Sequence, residues 1–234
     1  MRIAHILPTT LIDYPRKVAA LIYTPSCNFR CPFCHNPELV LPERIALLNP
    51  IPEDRVLALL AERKGFLDAL AITGGEPTLH HDLSRFIGEV KRLGYLVKLD
   101  TNGSHPEVLA GLFDAGLLDY VAMDVKAPPA RYSEVVGVPI DPSVIEESIR
   151  VIVDRAPDYE FRTTVAPGLT EDDIRAIADW IEGAKRYTLQ RFTVPEDKGL
   201  VDPDFTDRTA LSAVELQAIW SDLSGSFRDG GVRS

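Results

Sequence analysis

Apolar and polar residues alternate along the chain in short blocks. Six short segments rich in apolar residues are typical of strands buried in a sheet. They cover residues 18–23, 67–72, 95–99, 120–123, 159–164 and 187–192. Helical spacing of apolar residues predicts helices after them. These helices cover residues 52–64, 82–93, 106–115, 142–154, 170–182 and 213–223.

The alternation of strands and helices predicts an α/β fold built from right-handed βαβ units around a parallel sheet. Six units are too few to close an eight-stranded barrel, so we expect an open, curved (β/α)6 sheet. A flat, doubly wound sheet is the alternative. We expect one domain over 1–234, with a core at about 17–195 and a C-terminal helix and polar tail over 196–234. Residues 1–16 are predicted as a lead-in, and 193–210 as a long exposed loop.

Composition narrows the classes of function. The 234 residues are 45% hydrophobic and 26% charged, with a net charge of −10. An acidic chain lacks the basic surface that nonspecific binding to nucleic acid or to anionic membranes requires. Neither a signal peptide nor a membrane-spanning run is evident, so we expect a cytoplasmic protein with no membrane partner.

All three cysteines lie within residues 24–37, at Cys27, Cys31 and Cys34. Three prolines interrupt this segment and exclude a continuous helix, so the thiols are expected on a compact loop. An odd number of cysteines fits free thiolates in a reducing compartment better than a disulfide framework.

Thiolates bind zinc and iron–sulfur clusters strongly. Three cysteines on a four-iron cluster leave one iron open for a ligand, whereas an electron-transfer ferredoxin needs four. A zinc site is the alternative. His35 could supply its fourth ligand, but it directly follows Cys34, and adjacent residues chelate one ion poorly.

Polar and glycine-rich segments follow three of the predicted strands. They are 74–77 (Gly-Gly-Glu-Pro), 100–103 (Asp-Thr-Asn-Gly), and Asp124 with Lys126. The carboxyl ends of parallel strands gather ligand sites, so these residues are candidates for binding. Taken singly, each also fits a structural role as a tight turn, a helix cap or an ion pair.

The pattern Cys-x-x-x-Cys-x-x-Cys, with Phe33 before the third cysteine, resembles the radical S-adenosylmethionine (SAM) enzymes. The resemblance implies a partial (β/α)6 TIM-like barrel and a [4Fe-4S] cluster held by the three cysteines. It also implies that SAM chelates the fourth iron through its amino and carboxylate groups. Gly74-Gly75-Glu76-Pro77 resembles the family motif whose backbone pairs with the amino group of SAM.

Several motifs resemble the glycyl-radical enzyme activases, which include the pyruvate formate-lyase and anaerobic ribonucleoside-triphosphate reductase activating proteins. They are 11–18, 27–39, Asp100-Thr101-Asn102-Gly103, Asp124-Val125-Lys126 and Phe161-Arg162. The resemblance implies that Asp100 and Asp124 hold a monovalent cation near SAM, and that Lys126 and Arg162 position SAM. It implies two partners, a glycyl-radical enzyme and a flavodoxin or ferredoxin as electron donor.

The implied reaction is reductive cleavage of SAM to methionine and a 5′-deoxyadenosyl radical, which takes a hydrogen atom from a glycine of the partner. Two alternatives stay open. One is a radical SAM enzyme that modifies a small molecule or nucleotide directly, and the other is a noncatalytic zinc- or cluster-binding protein. Substrate contacts are expected on the loops 125–142 and 193–210.

Overall fold

The computed structural model describes residues 1–194, 199–205 and 208–233. Within these ranges the strands form one sheet, and their order in the sheet is their order in the chain. The strands are β1 (His5–Thr10), β2 (Ala19–Thr24), β3 (Ala69–Gly74), β4 (Leu96–Thr101), β5 (Tyr120–Asp124), β6 (Tyr159–Val165), β7 (Arg186–Arg191) and β8 (Asp229–Arg233). β1 is antiparallel to β2, and all other neighbouring strands are parallel.

Helices connect the strands. They are α1 (Pro37–Val40), α2 (Pro42–Ile45), α3 (Glu53–Glu62), α4 (Leu83–Arg92), α5 (Pro106–Asp114), α6 (Tyr132–Val136), α7 (Pro142–Arg155), α8 (Glu171–Trp180) and α9 (Ala213–Leu223). Among the described residues, no helix is both long and apolar enough to cross a membrane.

The two faces of the sheet differ in chemistry because side chains alternate along each strand. Large apolar side chains on one face join the buried side chains of the helices in a single core. Those on the strands include Ile22, Ile72, Leu99, Met123 and Phe161. The opposite face carries alanines at 19, 69 and 122, together with the charged Lys98 and Asp100. Helices α3, α4, α5, α7, α8 and α9 all contribute to the one core, so the doubly wound alternative is wrong.

The sheet curves around its polar face. Residues 14–17, between β1 and β2, line one pocket together with Asp229 and Arg233 of β8, although these elements lie at opposite ends of the strand order. Tyr14 is buried beneath this face and packs on Tyr120 of β5, with 5.7 Å between the ring centroids. The prediction of an α/β partial barrel is therefore confirmed.

The structure adds a strand at each edge of the predicted sheet. The lead-in contains β1, which pairs with β2, and the polar tail contains β8, which pairs with β7. Part of the predicted loop 193–210 also differs from expectation, since Leu200 and Phe205 are buried. Residues 195–198 and 206–207 of that prediction lie outside the described residues.

Candidate active site

The cysteine loop leaves the carboxyl end of β2 and is held by backbone contacts. The amide of Ser26 donates to the carbonyl oxygen of Leu39 at 2.8 Å. The amide of Arg30 donates to the carbonyl oxygen of Val136 at 2.8 Å. The Arg30 guanidinium turns inward and donates to the carbonyl of Cys27 at 2.7 Å. A segment without regular structure is thus fixed by bonds to α1 and α6.

Two glycines let the end of β3 approach the cysteine loop closely. The amide of Gly75 donates to the Thr24 carbonyl at 2.8 Å, and the amide of Glu76 donates to the Ser26 carbonyl at 2.7 Å. A Cβ atom at Gly75 would lie 2.0 Å from the Ser26 carbonyl oxygen, and one at Gly74 would lie 2.3 Å from the Thr24 backbone. Only glycine is compatible with this approach.

The side chain of Glu76 lies behind the loop and is fully buried. Its Oε1 accepts hydrogen bonds from the Thr78 hydroxyl at 2.6 Å and the Thr101 hydroxyl at 2.8 Å. Its Oε2 accepts from the Asn102 amide at 2.6 Å. Burial raises the pKa of Glu76, against the opposing effect of these hydrogen bonds. Glu76 therefore ties the ends of β3 and β4 together.

The three cysteines are free thiols. Burial raises the pKa of Cys27 to about 11 and that of Cys31 to about 12, and it also raises the pKa of Cys34. The ammonium of Lys126 opposes the rise at all three cysteines. Thiols in this environment stay protonated at neutral pH until a cationic partner stabilises the thiolate.

All three thiols border one cavity of about 220 Å³ at the carboxyl ends of the strands. Its other lining residues come from the cysteine loop, from α1 and from the ends of β3, β4, β5 and β6. They are Phe29, Phe33, His35, Asn36, Val40, Thr73, Gly74, Gly75, Asp100, Thr101, Asn102, Asp124, Lys126, Arg162 and Thr164.

Five charged residues on or directly after β4, β5 and β6 form a charged wall along one side of this cavity. They are Lys98, Asp100, Asp124, Lys126 and Arg162. Asp124 accepts from Arg162 Nε at 2.9 Å and from Lys126 Nζ at 3.2 Å. Asp100 pairs with Lys98 Nζ and lies 3.5 Å from Arg162 Nη1. Burial disfavours the charged form of Asp124, but the two cations outweigh it and lower the pKa of this carboxyl to about 2. The carboxylate of Asp124 therefore remains ionised at neutral pH.

The segment 199–205 covers the outer side of the cysteine loop. The amide of Val201 donates to the Cys34 carbonyl at 3.1 Å, and the amide of Asp202 donates to the Pro32 carbonyl at 3.0 Å. The ring of Phe205 packs on that of Phe33, with 6.2 Å between centroids. This part of the chain shields the loop from solvent, a role that its polar composition did not indicate.

His35 packs on Phe192, with 5.6 Å between ring centroids. Its Nε2 is buried with no hydrogen-bond partner among the described residues, although the ring borders the cavity. Burial lowers the pKa of His35, so the ring is neutral at pH 7.

The structure brings together twelve of the residues predicted for the site. Cys27, Cys31, Cys34, Phe33, Gly74, Gly75, Asp100, Thr101, Asn102, Asp124, Lys126 and Arg162 all border the cavity. Glu76 and Pro77 are buried and do not border it. Thr164 was missed, although it lies two residues after Arg162 on β6 and so shares its face. Lys98 was missed as well, although it lies two residues before Asp100 on β4 and so shares its face.

The site has features that suit a [4Fe-4S] cluster with an open iron. Three free thiols border one cavity, and polar backbone and charged side chains lie beside them for a further ligand. In the described ranges, no three His, Cys, Asp or Glu side chains are grouped as they would be around a single metal ion. The fit rests on the chemistry of the three thiols and on the cavity that they share.

Comparisons with known proteins agree with this assignment. A "Putative glycyl-radical enzyme activating enzyme" of Methanocaldococcus jannaschii is 37% identical over 210 residues, which cover 87% of this chain and 83% of that protein. The GTP 3′,8-cyclase of Aquifex aeolicus is 29% identical over 215 residues, covering 88% of this chain and 64% of that protein.

Among solved structures, Streptococcus suis SuiB bound to its precursor peptide SuiA has a TM-score of 0.66 at 13% identity, covering 92% of this chain and 48% of that chain. Coproporphyrinogen III oxidase (HemN) from Escherichia coli has a TM-score of 0.63 at 16% identity, covering 92% of this chain and 54% of that chain. The chain spans about half the length of these two proteins, and the likeness shows the fold alone.

The family model of the Radical SAM superfamily matches residues 21–181, well over half of the sequence. This match contains the cysteine loop, the glycine motif and the charged wall. The chain belongs to the radical SAM superfamily, which implies a [4Fe-4S] cluster and SAM as its cofactors.

Proposed function

We propose that this protein is a glycyl-radical enzyme activase, which uses SAM to take a hydrogen atom from a glycine of a partner enzyme. The observation that carries the proposal is the extent of the match to the M. jannaschii relative, which covers 87% of this chain and 83% of that protein. By contrast, the chain covers 64% of the A. aeolicus GTP 3′,8-cyclase and 48% of its Thermococcus kodakarensis counterpart.

The residues of the cavity have distinct roles in this function. Cys27, Cys31 and Cys34 would hold the cluster, which when bound supplies the electron that splits SAM. The amides of Gly75 and Glu76 already donate to the carbonyls of Thr24 and Ser26, so the carbonyls at this strand end are the groups suited to accept from an amino group of SAM.

The charged wall provides the counterpart for the carboxylate of SAM. Lys98, Lys126 and Arg162 carry three positive charges against the two carboxylates of Asp100 and Asp124. The excess of one positive charge on a partly buried wall favours an anionic group of the ligand. We assign this role to Lys126 and Arg162, which both border the cavity.

In the proposed reaction, each glycyl radical formed on the partner consumes one electron and one molecule of SAM. An external flavodoxin or ferredoxin donates the electron, and the bond between sulfur and C5′ of SAM breaks. One hydrogen atom moves from the glycine Cα to C5′, so methionine, 5′-deoxyadenosine and one glycyl radical are formed. The protein contributes by positioning SAM and by excluding water and oxygen from the cavity.

The test uses the protein reconstituted anaerobically with iron and sulfide and reduced with dithionite. It is mixed with SAM and a glycyl-radical-type protein of the same organism that carries α-deuterated glycine. We expect deuterium in 5′-deoxyadenosine and a glycyl-radical signal in electron paramagnetic resonance. Both should vanish in Cys31→Ala, because that variant lacks one ligand of the cluster.

The rival function is direct modification of a small molecule or nucleotide, and the 29% identity with a GTP 3′,8-cyclase over 88% of this chain favours GTP as the probe. The same reconstituted enzyme is incubated with GTP in place of the protein. Consumption of GTP that depends on SAM, with no deuterium transfer from the protein glycine, would overturn the activase function. Zinc without iron in anaerobically prepared protein, and no SAM cleavage, would overturn both.

We include no monovalent cation in this function. The two carboxylates expected to bind one, Asp100 and Asp124, already contact cationic side chains of the chain itself.

A further inference from the structure

Each of the four carboxylate oxygens on the charged wall already faces a cation of the protein. Asp100 Oδ1 pairs with Lys98 Nζ, and Asp100 Oδ2 lies 3.5 Å from Arg162 Nη1. Asp124 Oδ1 accepts from Arg162 Nε at 2.9 Å, and Asp124 Oδ2 accepts from Lys126 Nζ at 3.2 Å. These are the oxygen atoms that a monovalent cation at this place would need as ligands.

Lys98 is the unusual member of this set because it is buried in the middle of a strand. Only 3% of its side chain is exposed, and it lies on the polar face of the sheet beside the ring of Tyr120, 6.0 Å from the centroid. A buried ammonium group is stable only when a carboxylate neutralises it. Asp100, two residues along β4 and on the same face, is the carboxylate with which Lys98 pairs.

The charges of the described residues around the wall oppose the binding of a further cation. Lys98, Lys126 and Arg162 already outnumber Asp100 and Asp124. The next carboxylate on the same face, Glu160 on β6, is 2.7 Å from Arg233 Nη2. A bound Na⁺ or K⁺ would add another positive charge to a wall that already has an excess, which electrostatic repulsion opposes.

We infer that Lys98 replaces the monovalent cation, so that this enzyme binds SAM without requiring Na⁺ or K⁺. Lys98 acts as a positioning residue, since its ammonium holds Asp100 in place at the edge of the cavity. The inference goes beyond the proposed function. It rests on the binding of SAM, which the family implies, and not on glycine as the target of the radical.

The first arm of the test uses the wild-type, cluster-loaded enzyme. The dissociation constant for SAM is measured by anaerobic equilibrium dialysis in sodium, potassium or tetramethylammonium chloride at equal ionic strength. We expect the three values to agree within about twofold, because no cation takes part in binding. A constant that is about tenfold or more weaker in tetramethylammonium chloride would overturn the inference without any variant.

The second arm uses Lys98→Met, which removes the ammonium and keeps an apolar chain of similar length. In tetramethylammonium chloride its affinity for SAM should fall at least about tenfold, and K⁺ or Na⁺ should restore part of the loss. The nuclear magnetic resonance line of thallium(I), a probe for K⁺ sites, should broaden when this variant is added and should not broaden with the wild type. This readout does not depend on turnover.

Lys91→Met is the matched control. Lys91 also pairs with an aspartate, with 2.7 Å between its Nζ and Asp119 Oδ2, but Asp119 does not border the cavity as Asp100 does. We expect this control to keep both the wild-type affinity and its independence of the salt. A Lys98→Met enzyme that folds, as shown by its circular dichroism, yet behaves like the control would overturn the inference. If Lys98→Met does not fold, the wild-type measurements decide alone.

Discussion

Glu76 Oε2 accepts a hydrogen bond of 2.6 Å from the backbone amide of Asn102, across the gap between the ends of β3 and β4. The acidic residue of the glycine-rich motif therefore has its side chain directed away from the cavity and into the scaffold. Asn102 in turn donates from Nδ2 to Asn28 Oδ1 at 2.9 Å, next to Cys27. Glu76 thus supports the cysteine loop through β4.

Replacing Glu76 with Gln tests this support. The Gln amide group would place donors against the Thr78 and Thr101 hydroxyls or the Asn102 amide, so at least one buried donor would lose its acceptor. We expect the free energy of unfolding, measured in urea, to fall by about 1–3 kcal/mol.

Glu89→Gln is the control for Glu76→Gln, since Glu89 pairs with Arg92 on the surface of α4 at 2.6 Å. We expect the free energy of unfolding of this control to fall by less than about 0.5 kcal/mol. Equal stability of the two variants would show that the carboxylate of Glu76 is not needed for the scaffold.

Adding a methyl group at Gly75 tests the close approach of β3 to the cysteine loop. The Cβ of Gly75→Ala would lie 2.0 Å from the Ser26 carbonyl oxygen, which forces the loop to move. We expect the variant to retain less iron and sulfide after anaerobic reconstitution. Gly88→Ala is the control, because a Cβ there meets nothing within 4 Å and Ala favours a helix. Full cluster content in Gly75→Ala would contradict this account.

The central strands were predictable because they are buried on both faces, as the segment 19–24 shows. The two edge strands were not. Half of the residues of β1 are exposed and it contains Pro8, and β8 contains Gly230 and Gly231, so neither shows the apolar pattern of a buried strand. Their formation depends on the open edges of β2 and β7, which are tertiary features that no local pattern displays.

The burial of Phe205 gives another test. Its ring packs on Phe33, with 6.2 Å between centroids, and on Phe192, with 6.3 Å between centroids. Phe205→Ala should uncover the cysteine loop, so that the reconstituted cluster bleaches faster in air than in the wild type. Phe66→Ala is the control, since Phe66 is 60% exposed. Identical bleaching rates in all three proteins would show that the segment 199–205 does not protect the cluster.

The lowered pKa of Asp124 predicts a pH dependence of stability. The pKa of Asp124 is lowered from 3.8 to about 2, so its contribution to stability is fully present above pH 3.8 and is lost as the pH falls through about 2. A lowering of the pKa by this amount corresponds to about 2 kcal/mol in the free energy of unfolding. We expect Asp124→Asn to be less stable than the wild type by this order of magnitude at pH 5–7, with a difference that shrinks as the pH approaches about 2.

Asp114→Asn serves as the control in the same pH series. Asp114 is 72% exposed and pairs with Arg155 at 3.0 Å, so its removal should change stability by less than about 1 kcal/mol. A difference between wild type and Asp124→Asn that grows on acidification would contradict the assigned ion pairs.

The site was predictable where its residues belong to a compact motif or follow a strand, as the cysteines and Asp100 do. Lys98 was not identified because a lysine inside an apolar strand is usually a surface residue. Its role depends on the pairing register of β4 with β5, which places it beside Tyr120 of the next strand. The support from 199–205 was missed for a similar reason, since Leu200 and Phe205 are among the few apolar residues of the mostly polar segment 193–210.

The sheet has the same order in space as in the chain, and this order has a consequence for synthesis on the ribosome. Each new strand meets a partner that has already been made, so the sheet can grow from its amino-terminal edge without waiting for distant segments. The cysteines at 27–34 emerge long before Val201 and Asp202, which contact their loop. The outer side of the cysteine loop is therefore open to iron delivery until residues 201–202 have been made.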